Sequence, residues 1–288
     1  MMKQDLLKKI EVLLPSMSKN RRAIGNFILE HYDKAAYITA AKLGSQVNVS
    51  ESTVVRFAIE LGFAGYPELQ QSLQELIRTK LTSLQRIEIT NKRIGDSDVL
   101  EKVLNSDITK IRSTLDTIDR DDFNRAVSAI IDAKMIYIVG MRSAASLAAF
   151  LSFYFRLIFA NVTLVQTTSG SELFEQILRL NKEDVLIAIT FPRYSKNVVR
   201  SVEYAKHIGA HIIALTDSKL SPIAESADSL LLAKSDMASF VDSLVAPLSI
   251  INALIVAISK IKQEEFIDIF GKLENIWEEY EVYEKTHE

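Results

Sequence analysis

The sequence predicts two domains of different fold class: an all-α helix-turn-helix domain at the N-terminus and an α/β domain with a doubly wound parallel sheet at the C-terminus. Residues 40–66 carry apolar side chains at helical spacing around a short polar turn. From residue 119 onwards, continuous apolar runs alternate with longer amphipathic segments. The chain of 288 residues is 48% hydrophobic, so it can build two separate cores.

The N-terminal domain is predicted at residues 1–85. A first helix at 4–14 ends at Pro15. A second helix follows Ser18 and ends at His31, with Ile24, Phe27 and Ile28 facing inward. After the helix pair at 40–66, a long helix begins at Pro67 and reaches about Leu84. The periodicity fades between residues 86 and 95, which places the domain boundary there.

The pair of helices at 40–66 has the features that a helix-turn-helix requires. Gly44 provides a small residue where two helices cross, and Asn48 tolerates a left-handed turn. Ser50 stands at the N-cap of a second helix that begins at about Glu51. Val54, Phe57, Ala58 and Leu61 fall on its inward face. A plain helical bundle with the same periodicity is the alternative.

The outward face of the second helix is short and mostly polar, which suits the major groove of DNA. Arg22 lies near the start of the preceding helix and can meet the DNA backbone, while the loop amide of Gly65 and the phenol of Tyr66 can touch phosphate. The predicted contacts with operator DNA are Arg22, Ser50, Ser52, Thr53, Arg56, Gly65 and Tyr66. Residues 1–90 also carry 12 Lys and Arg against 9 Asp and Glu, the correct sign for binding phosphate.

A helical linker is predicted at residues 86–118, where Gly95, Asp96 and Ser97 start a helix that runs to about Leu115. The α/β domain is predicted at 119–288. Strands are expected at 135–139, 162–165, 184–189, 211–215 and 230–232, with helices at 119–133, 144–159, 171–180 and 196–208 between them. Two late helices, at 246–258 and 263–283, carry more apolar side chains than a small sheet needs, so a homodimer or homotetramer is predicted.

Three loops follow strands of this sheet and lead into helices: 140–144, 167–172 and 190–196. Ligands of doubly wound folds bind at this edge, where hydroxyls and helix amides hold anions and Arg adds charge. The predicted ligand-binding residues are Gly140, Arg142, Ser143, Ser169, Thr190, Arg193, Tyr194 and Ser195. The alternative for each serine is simple N-capping of its helix.

Two stretches of the sequence resemble a known family. The run V-S-E-S-T-V-V-R-F followed by E-L-G-F-A-G-Y-P-E-L is similar to the N-terminal signature of the RpiR-type bacterial transcription regulators, whose second half is a sugar isomerase (SIS) domain. L-T-D-S-K-L-S-P-I-A-E-S-A-D and F-V-D-S-L-V-A-P-L-S-I-I-N-A-L resemble that SIS domain. The resemblance implies a regulator of carbohydrate metabolism that binds operator DNA and a phosphosugar effector, without a cofactor.

The two main loops depart from the family pattern. The first usually reads glycine-x-glycine-x-serine, but Arg142 stands at the second glycine and Ala144 at the serine. The third usually reads serine-x-serine-glycine-x-threonine, but Pro192 and Arg193 replace the middle pair. A pocket that binds another anion, or serves only for dimerisation, is therefore an alternative.

Several function classes fit the sequence poorly. The chain has no Cys and no metal-ligand constellation, so no disulfide framework or thiolate metal site is expected. Of four His, two lie at the opposite sheet edge, and Glu172 and Glu225 are better placed as helix and surface charges than as bases. We therefore predict a non-enzymatic protein, with a phosphosugar isomerase as the alternative. No secretion signal or membrane span is indicated, which fits the cytoplasm.

Overall fold

The computed structural model describes residues 6–80, 84, 87, 98–167, 169–235 and 241–283. It divides into two compact units, residues 1–85 and 86–288. Several predicted features lie outside the described residues: the helix start at 95–97, Thr168 of the second loop, residues 4 and 5 of the first helix, the stretch 81–83 before Leu84, and the tail at 284–288.

The N-terminal unit is all-helical in its described part. Its helices are α1 (Leu6–Leu13), α2 (Lys19–Ala35), α3 (Ala40–Gln46), α4 (Glu51–Glu60) and α5 (Tyr66–Lys80), with a short 3₁₀ turn at Leu14–Ser16 that contains Pro15. The second helix extends beyond its predicted end, but its backbone leaves helical geometry at His31 (φ −135°, ψ 41°). The interruption therefore falls where the sequence predicted the helix to end.

The core of this unit is formed by the apolar faces of all five helices. Ile10, Ile24, Ile28, Leu43, Phe57 and Leu69 are fully buried. Phe27, predicted to face inward, is only half-buried, and its ring packs edge-on against His31 with centroids 5.2 Å apart. These contacts fix the positions of α3 and α4, which carry the candidate DNA contacts.

The C-terminal unit alternates strands and helices. It contains α6 (Val99–Thr117), α7 (Arg120–Asp132), β1 (Ile136–Gly140), α8 (Ala144–Ile158), β2 (Val162–Val165), α9 (Gly170–Gln176), β3 (Val185–Ile189), α10 (Lys196–Ile208), β4 (His211–Thr216), β5 (Ser229–Leu232), α11 (Val245–Ile261) and α12 (Gln263–Glu279). Asp119 caps α7 by accepting the amides of Asp121 and Asp122.

The five strands form one parallel sheet in the order β2-β1-β3-β4-β5, and every pair in it is parallel. β1 and β3 are entirely buried because helices cover both faces, and each face packs a separate apolar cluster. The order reverses at β1, so the loops after β1 and β3 leave neighbouring strands at one edge. This is the edge where doubly wound folds bind ligands.

Helix α6 leaves most of its apolar side chains exposed. Leu100, Leu104, Ile108, Ile111 and Leu115 are 69%, 54%, 55%, 41% and 59% exposed. The buried positions are Lys110 and Thr114. The reason is that α6 lies against α11 and the segment after β5, where its polar side makes hydrogen bonds.

Helix α11 (Val245–Ile261) is slightly longer than the predicted helix at 246–258, and α12 (Gln263–Glu279) ends before the predicted end at 283. α11 buries Ile250, Ile251 and Leu254, whereas α12 has no buried residue. Within the described residues no single helix combines the length and apolar composition needed to cross a membrane; α11 and α12 meet that test only as a pair bent by 100°.

Candidate functional site

The turn between α3 and α4 has the predicted geometry. Asn48 adopts a left-handed backbone (φ 55°). A Cβ on Gly44 would lie 2.6 Å from the carbonyl oxygen of Val49, so only glycine lets the turn pass so close to α3. The Ser50 hydroxyl accepts the amide of Thr53 at 3.3 Å and caps α4. These three contacts fix how α4 is presented.

The outward face of α4 has a cluster of hydroxyls at its start and one guanidinium a turn later. Ser50 Oγ lies 3.0 Å from Ser52 Oγ and 2.8 Å from Thr53 Oγ1. Ser52 and Arg56 are exposed, while Val54, Phe57 and Ala58 on the other side are buried. An exposed polar face at the first turns of a helix matches what base-edge contact in the major groove requires.

Tyr66 does not have its predicted role. Its side chain is 3% exposed, and its phenol donates to the carbonyl oxygens of Ala35 (3.0 Å) and Ile38 (2.9 Å). Burial raises the pKa of Tyr66 to about 12. The phenol therefore ties the first turn of α5 to the segment between α2 and α3, and cannot reach phosphate. Gly65 beside it is half-buried, and its backbone amide stays a candidate contact with phosphate.

The start of α2 lies beside the end of α4. Arg21 pairs with Glu60 at 2.7 Å, with both side chains about a third exposed. Arg22, the predicted backbone contact, is exposed next to it. Because Glu60 already compensates one of the two arginines, Arg22 is the better candidate for a phosphate.

The second candidate site lies at the carboxyl edge of the sheet. Gly140 at the end of β1 is paired in register with Ile189 at the end of β3. The loops that follow lead into α8 and α10, helices of 15 and 13 residues. A Cβ on Gly140 would lie 2.6 Å from the carbonyl oxygen of Ala144, so this glycine allows α8 to begin directly against β1. Its contribution is therefore to position the loop.

The serines at the starts of α8, α9 and α10 do not cap their helices. Ser143, Ser169 and Ser195 occupy N-cap positions, yet none makes a side-chain cap hydrogen bond. The Ser169 hydroxyl instead lies 2.9 Å from that of Ser171. Simple N-capping thus does not explain these hydroxyls. Thr190, also predicted to bind ligand, is 3% exposed and accepts the amide of Ser195, so it holds the loop in shape.

Arg142 and Arg193 both adopt left-handed backbone conformations, with φ of 59° and 65°. Both side chains are exposed. Glycine takes this conformation without cost, whereas a residue with a Cβ is strained there. The loops therefore retain a glycine-like backbone and carry a guanidinium at each position.

Three side chains that the sequence did not single out, those of Asp217, Thr216 and Arg200, also lie at this edge, and Asp217 is bonded to the predicted ligand residue Tyr194. Tyr194 donates its phenol hydrogen to Asp217 Oδ1 at 2.9 Å, so the loop after β3 is tied to the end of β4. The Thr216 hydroxyl donates to Ser221 Oγ at 2.9 Å and stabilises the loop after β4. Arg200 of α10 comes close to the start of α9: its Nη1 would lie 3.8 Å from a Cβ on Gly170. Only the repeated polar residues after β4 could have indicated these contacts.

The described residues contain no group of three or more His, Asp or Glu placed to hold a metal ion. His211 begins β4 at the amino edge of the sheet, its Nε2 lies 3.2 Å from Ser229 Oγ, and burial lowers the pKa of its imidazole. Glu172 accepts the hydroxyl of Thr167. His211 is thus placed away from the carboxyl-edge loops, whose described residues are chiefly hydroxyls and cations.

A helix-turn-helix unit followed by a doubly wound α/β unit is the architecture of a transcriptional regulator in which a second domain accompanies the DNA-binding one. Residues 4–80 match the family described as the helix-turn-helix domain of the rpiR family, and residues 129–257 match the SIS domain. The chain belongs to the RpiR-type transcriptional regulators.

Two known transcriptional regulators are similar to this chain. An uncharacterised HTH-type transcriptional regulator of Caldanaerobacter subterraneus subsp. tengcongensis is 25% identical over 94% of this chain and 95% of its own. The sugar isomerase domain of an RpiR transcription factor from Sphaerobacter thermophilus has 28% identity and a TM-score of 0.58, covering 60% of this chain and 97% of that one.

The NanR protein of Vibrio vulnificus, solved in complex with ManNAc-6P, has 19% identity and a TM-score of 0.60, covering 95% of this chain and 98% of that one. At this identity the likeness shows the fold alone. The likeness in fold extends over both units of this chain.

Proposed function

We propose that a phosphosugar binds at the loops 140–144, 169–172 and 190–196 and controls the affinity of this regulator for its operator. The observation that carries the proposal is that three serines without a side-chain cap hydrogen bond lie at one sheet edge together with two arginines. The serines are Ser143, Ser169 and Ser195, and the arginines are Arg142 and Arg193. Hydroxyls, helix amides and arginine together suit a phosphate, which accepts many hydrogen bonds. The likeness in fold to NanR, whose structure holds ManNAc-6P, supports the same ligand class.

A route exists within the C-terminal unit from this edge towards the DNA-reading half. The segment after β5 leaves the same edge of the sheet, and its Lys234 amide donates to Thr114 Oγ1 of α6 at 3.0 Å. At the other end of that segment, Ser243 Oγ donates to Asp107 Oδ1 at 2.7 Å. Because α6 is the first helix of this unit in chain order, a conformational change at the sheet edge can be passed to the residues that join α6 to the DNA-binding unit.

We also propose that the protein does not catalyse isomerisation. An isomerase needs a base beside the sugar carbons. His211 lies at the amino edge, and Glu172 is occupied by Thr167. The regulators that resemble this chain support the same conclusion.

Binding is tested by thermal unfolding of the full chain with a panel of sugar monophosphates. A ligand at about 100 times its dissociation constant should stabilise the protein by about 2.7 kcal/mol. Ser195→Ala should reduce that stabilisation, because it removes a hydroxyl from the cradle. Ser249→Ala, which removes an exposed hydroxyl bonded within α11, should not. An equal response from both variants would place the ligand elsewhere.

The exposed apolar stripe of α6 supports a homo-oligomer formed with a second copy. Leu104, Ile108, Ile111 and Leu115 recur at spacings of four, three and four residues, so they line one side of the helix. A contiguous exposed apolar patch marks an interaction surface, and two reading heads are needed for two half-sites. We propose that α6 pairs with its symmetry mate.

Sedimentation at micromolar concentration tests this pairing. The parent chain should be at least a dimer, and Ile108→Glu should shift it towards monomer because the charge would be buried on association. Thr109→Glu, one position along and exposed on another side of the helix, is the matched control. A monomeric parent, or equal behaviour of the two variants, would remove α6 from the interface.

A further inference from the structure

The DNA-binding unit has a cavity beside its helix-turn-helix that none of the predicted DNA contacts lines. It has a volume of about 480 Å³ and lies between the second half of α2, the segment that follows α2, and α3. The described residues that line this lysine cavity are Phe27, Lys34, Tyr37, Ile38, Lys42 and Gln46. Two of them are cations and none is a carboxylate, so the lining is positively charged.

The polar side chains surround an apolar floor. Lys34, Lys42 and Gln46 are exposed, whereas Phe27 and Ile38 are half-buried. Lys42 and Gln46 are four residues apart on α3 and therefore share one face of that helix. Phe27 and Lys34 are seven residues apart on α2, two helical turns, with the interruption of the backbone between them. The two helices thus present these side chains to one common surface.

Neither lysine is compensated by a carboxylate. Arg21 of the same unit pairs with Glu60 at 2.7 Å, whereas the ammoniums of Lys34 and Lys42 have no carboxylate partner among the described residues. Glu30 precedes Lys34 by one turn on α2, but it does not line the cavity. An ammonium on a flexible stem is a point charge with three donors, which suits a phosphate oxygen. The lysine cavity therefore offers two cations to an anionic partner.

The cavity borders the helix that reads DNA. Gln46 is the last residue of α3, and α3 packs directly against α4. Gln46 and Ser50 are four positions apart in the chain, so their Cα atoms are at most about 14 Å apart. The major groove of B-DNA is about 12 Å wide. With α4 in the groove, a surface at this distance from the Ser50 hydroxyl cluster faces the sugar-phosphate backbone that bounds the groove.

We propose that the lysine cavity binds the DNA backbone beside the groove that α4 reads, with Lys34 and Lys42 each on a phosphate and the apolar floor against the deoxyribose between them. Duplex DNA fits better than an acidic protein segment because the cavity is continuous with the DNA-reading surface. Contacts of this kind fix the position of α4 without reading sequence. The proposal concerns the DNA-binding unit alone and does not depend on the effector site.

Titration of the full chain with a labelled mixed-sequence duplex at several salt concentrations tests the proposal. A duplex of about 30 base pairs is long enough for two half-sites. Each phosphate contact contributes about 0.9 to the slope of log affinity against log salt, because it releases counterions. The double variant Lys34→Gln with Lys42→Gln should lower this slope by about 2 for each bound reader, and weaken binding at least 10-fold at about 0.1 M salt.

Two further variants separate the cavity from net charge. Lys34→Arg with Lys42→Arg keeps both charges and should keep the slope. Lys8→Gln removes an exposed lysine from α1, which packs against α2 and α5, and should leave affinity and slope unchanged. All these substitutions change exposed side chains, so the melting temperatures should stay near that of the parent.

Two results would overturn the proposal. An unchanged slope in the double glutamine variant would show that the cavity does not meet phosphate, and would leave an acidic protein segment as its occupant. An equal reduction of the slope in Lys8→Gln would show that binding responds to the net charge of the unit and not to these two lysines.

Discussion

Arg56→Ala is expected to weaken operator binding at least 10-fold, and by on the order of 100-fold when both heads of a dimer carry the change. Arg56 is exposed on the outward face of α4, one turn beyond the hydroxyl cluster of Ser50, Ser52 and Thr53. It is the only cation on this helix, so its loss removes the charge-assisted contact that α4 can make with DNA. Titration of labelled operator at several salt concentrations measures both affinity and the number of phosphate contacts.

The controls separate charge from position. Arg120→Ala removes an exposed arginine from α7 in the other unit, and should change affinity little. Ser52→Ala should cost less than Arg56→Ala, because it removes a neutral contact. Tyr66→Phe should lower the free energy of unfolding by about 1–3 kcal/mol by leaving buried carbonyls unpaired, with no change in the salt dependence of binding. Unchanged affinity and salt dependence for Arg56→Ala would show that α4 does not read DNA.

Thr114→Ala combined with Ser243→Ala is expected to abolish most of the effector's influence on operator affinity, without preventing effector binding. These two side chains make the hydrogen bonds of 3.0 and 2.7 Å that tie α6 to the segment after β5. Coupling between sites is typically worth 1–3 kcal/mol, which corresponds to roughly 5- to 150-fold in affinity. With the tie removed, the sheet edge can respond to ligand while α6 stays unaffected. Operator titrations with and without saturating effector measure the loss.

Thr109→Ala is the matched control for this pair, because its hydroxyl donates to the Asn105 carbonyl within α6. It should retain the full coupling. The ion pair of Lys110 and Asp107, 3.2 Å apart, lies within α6 and is kept in every variant. If the double variant binds effector and still shows the parental change in operator affinity, the signal does not pass through these contacts.

The sequence predicted most where the determinants are local. The helix-turn-helix follows from apolar spacing, a close crossing at Gly44 and a left-handed Asn48, all within one short stretch. The parallel strands follow from continuous apolar runs, since a sheet covered on both faces leaves no polar alternation. Strand bounds therefore agreed with the structure to within a residue or two.

The features that the sequence did not predict depend on partners distant in sequence. The phenol of Tyr66 points inward because it bonds Ala35 and Ile38, about 30 residues earlier. The apolar side of α6 is exposed because Thr114 and Asp107 bond residues more than 100 positions later. The tie from Tyr194 to Asp217 arises only when the sheet brings β3 and β4 together. No local periodicity encodes such contacts.

The central claim is that a phosphosugar at the carboxyl edge of the sheet sets the affinity for DNA. The most direct measurement is the dissociation constant of the operator complex with and without a phosphosugar shown to bind the full chain, in the parent and in Ser195→Ala. The account predicts a change of roughly 5- to 150-fold in the parent and little change in the variant at the same ligand concentration. An effector that binds these loops and leaves operator affinity unchanged in the parent would contradict it.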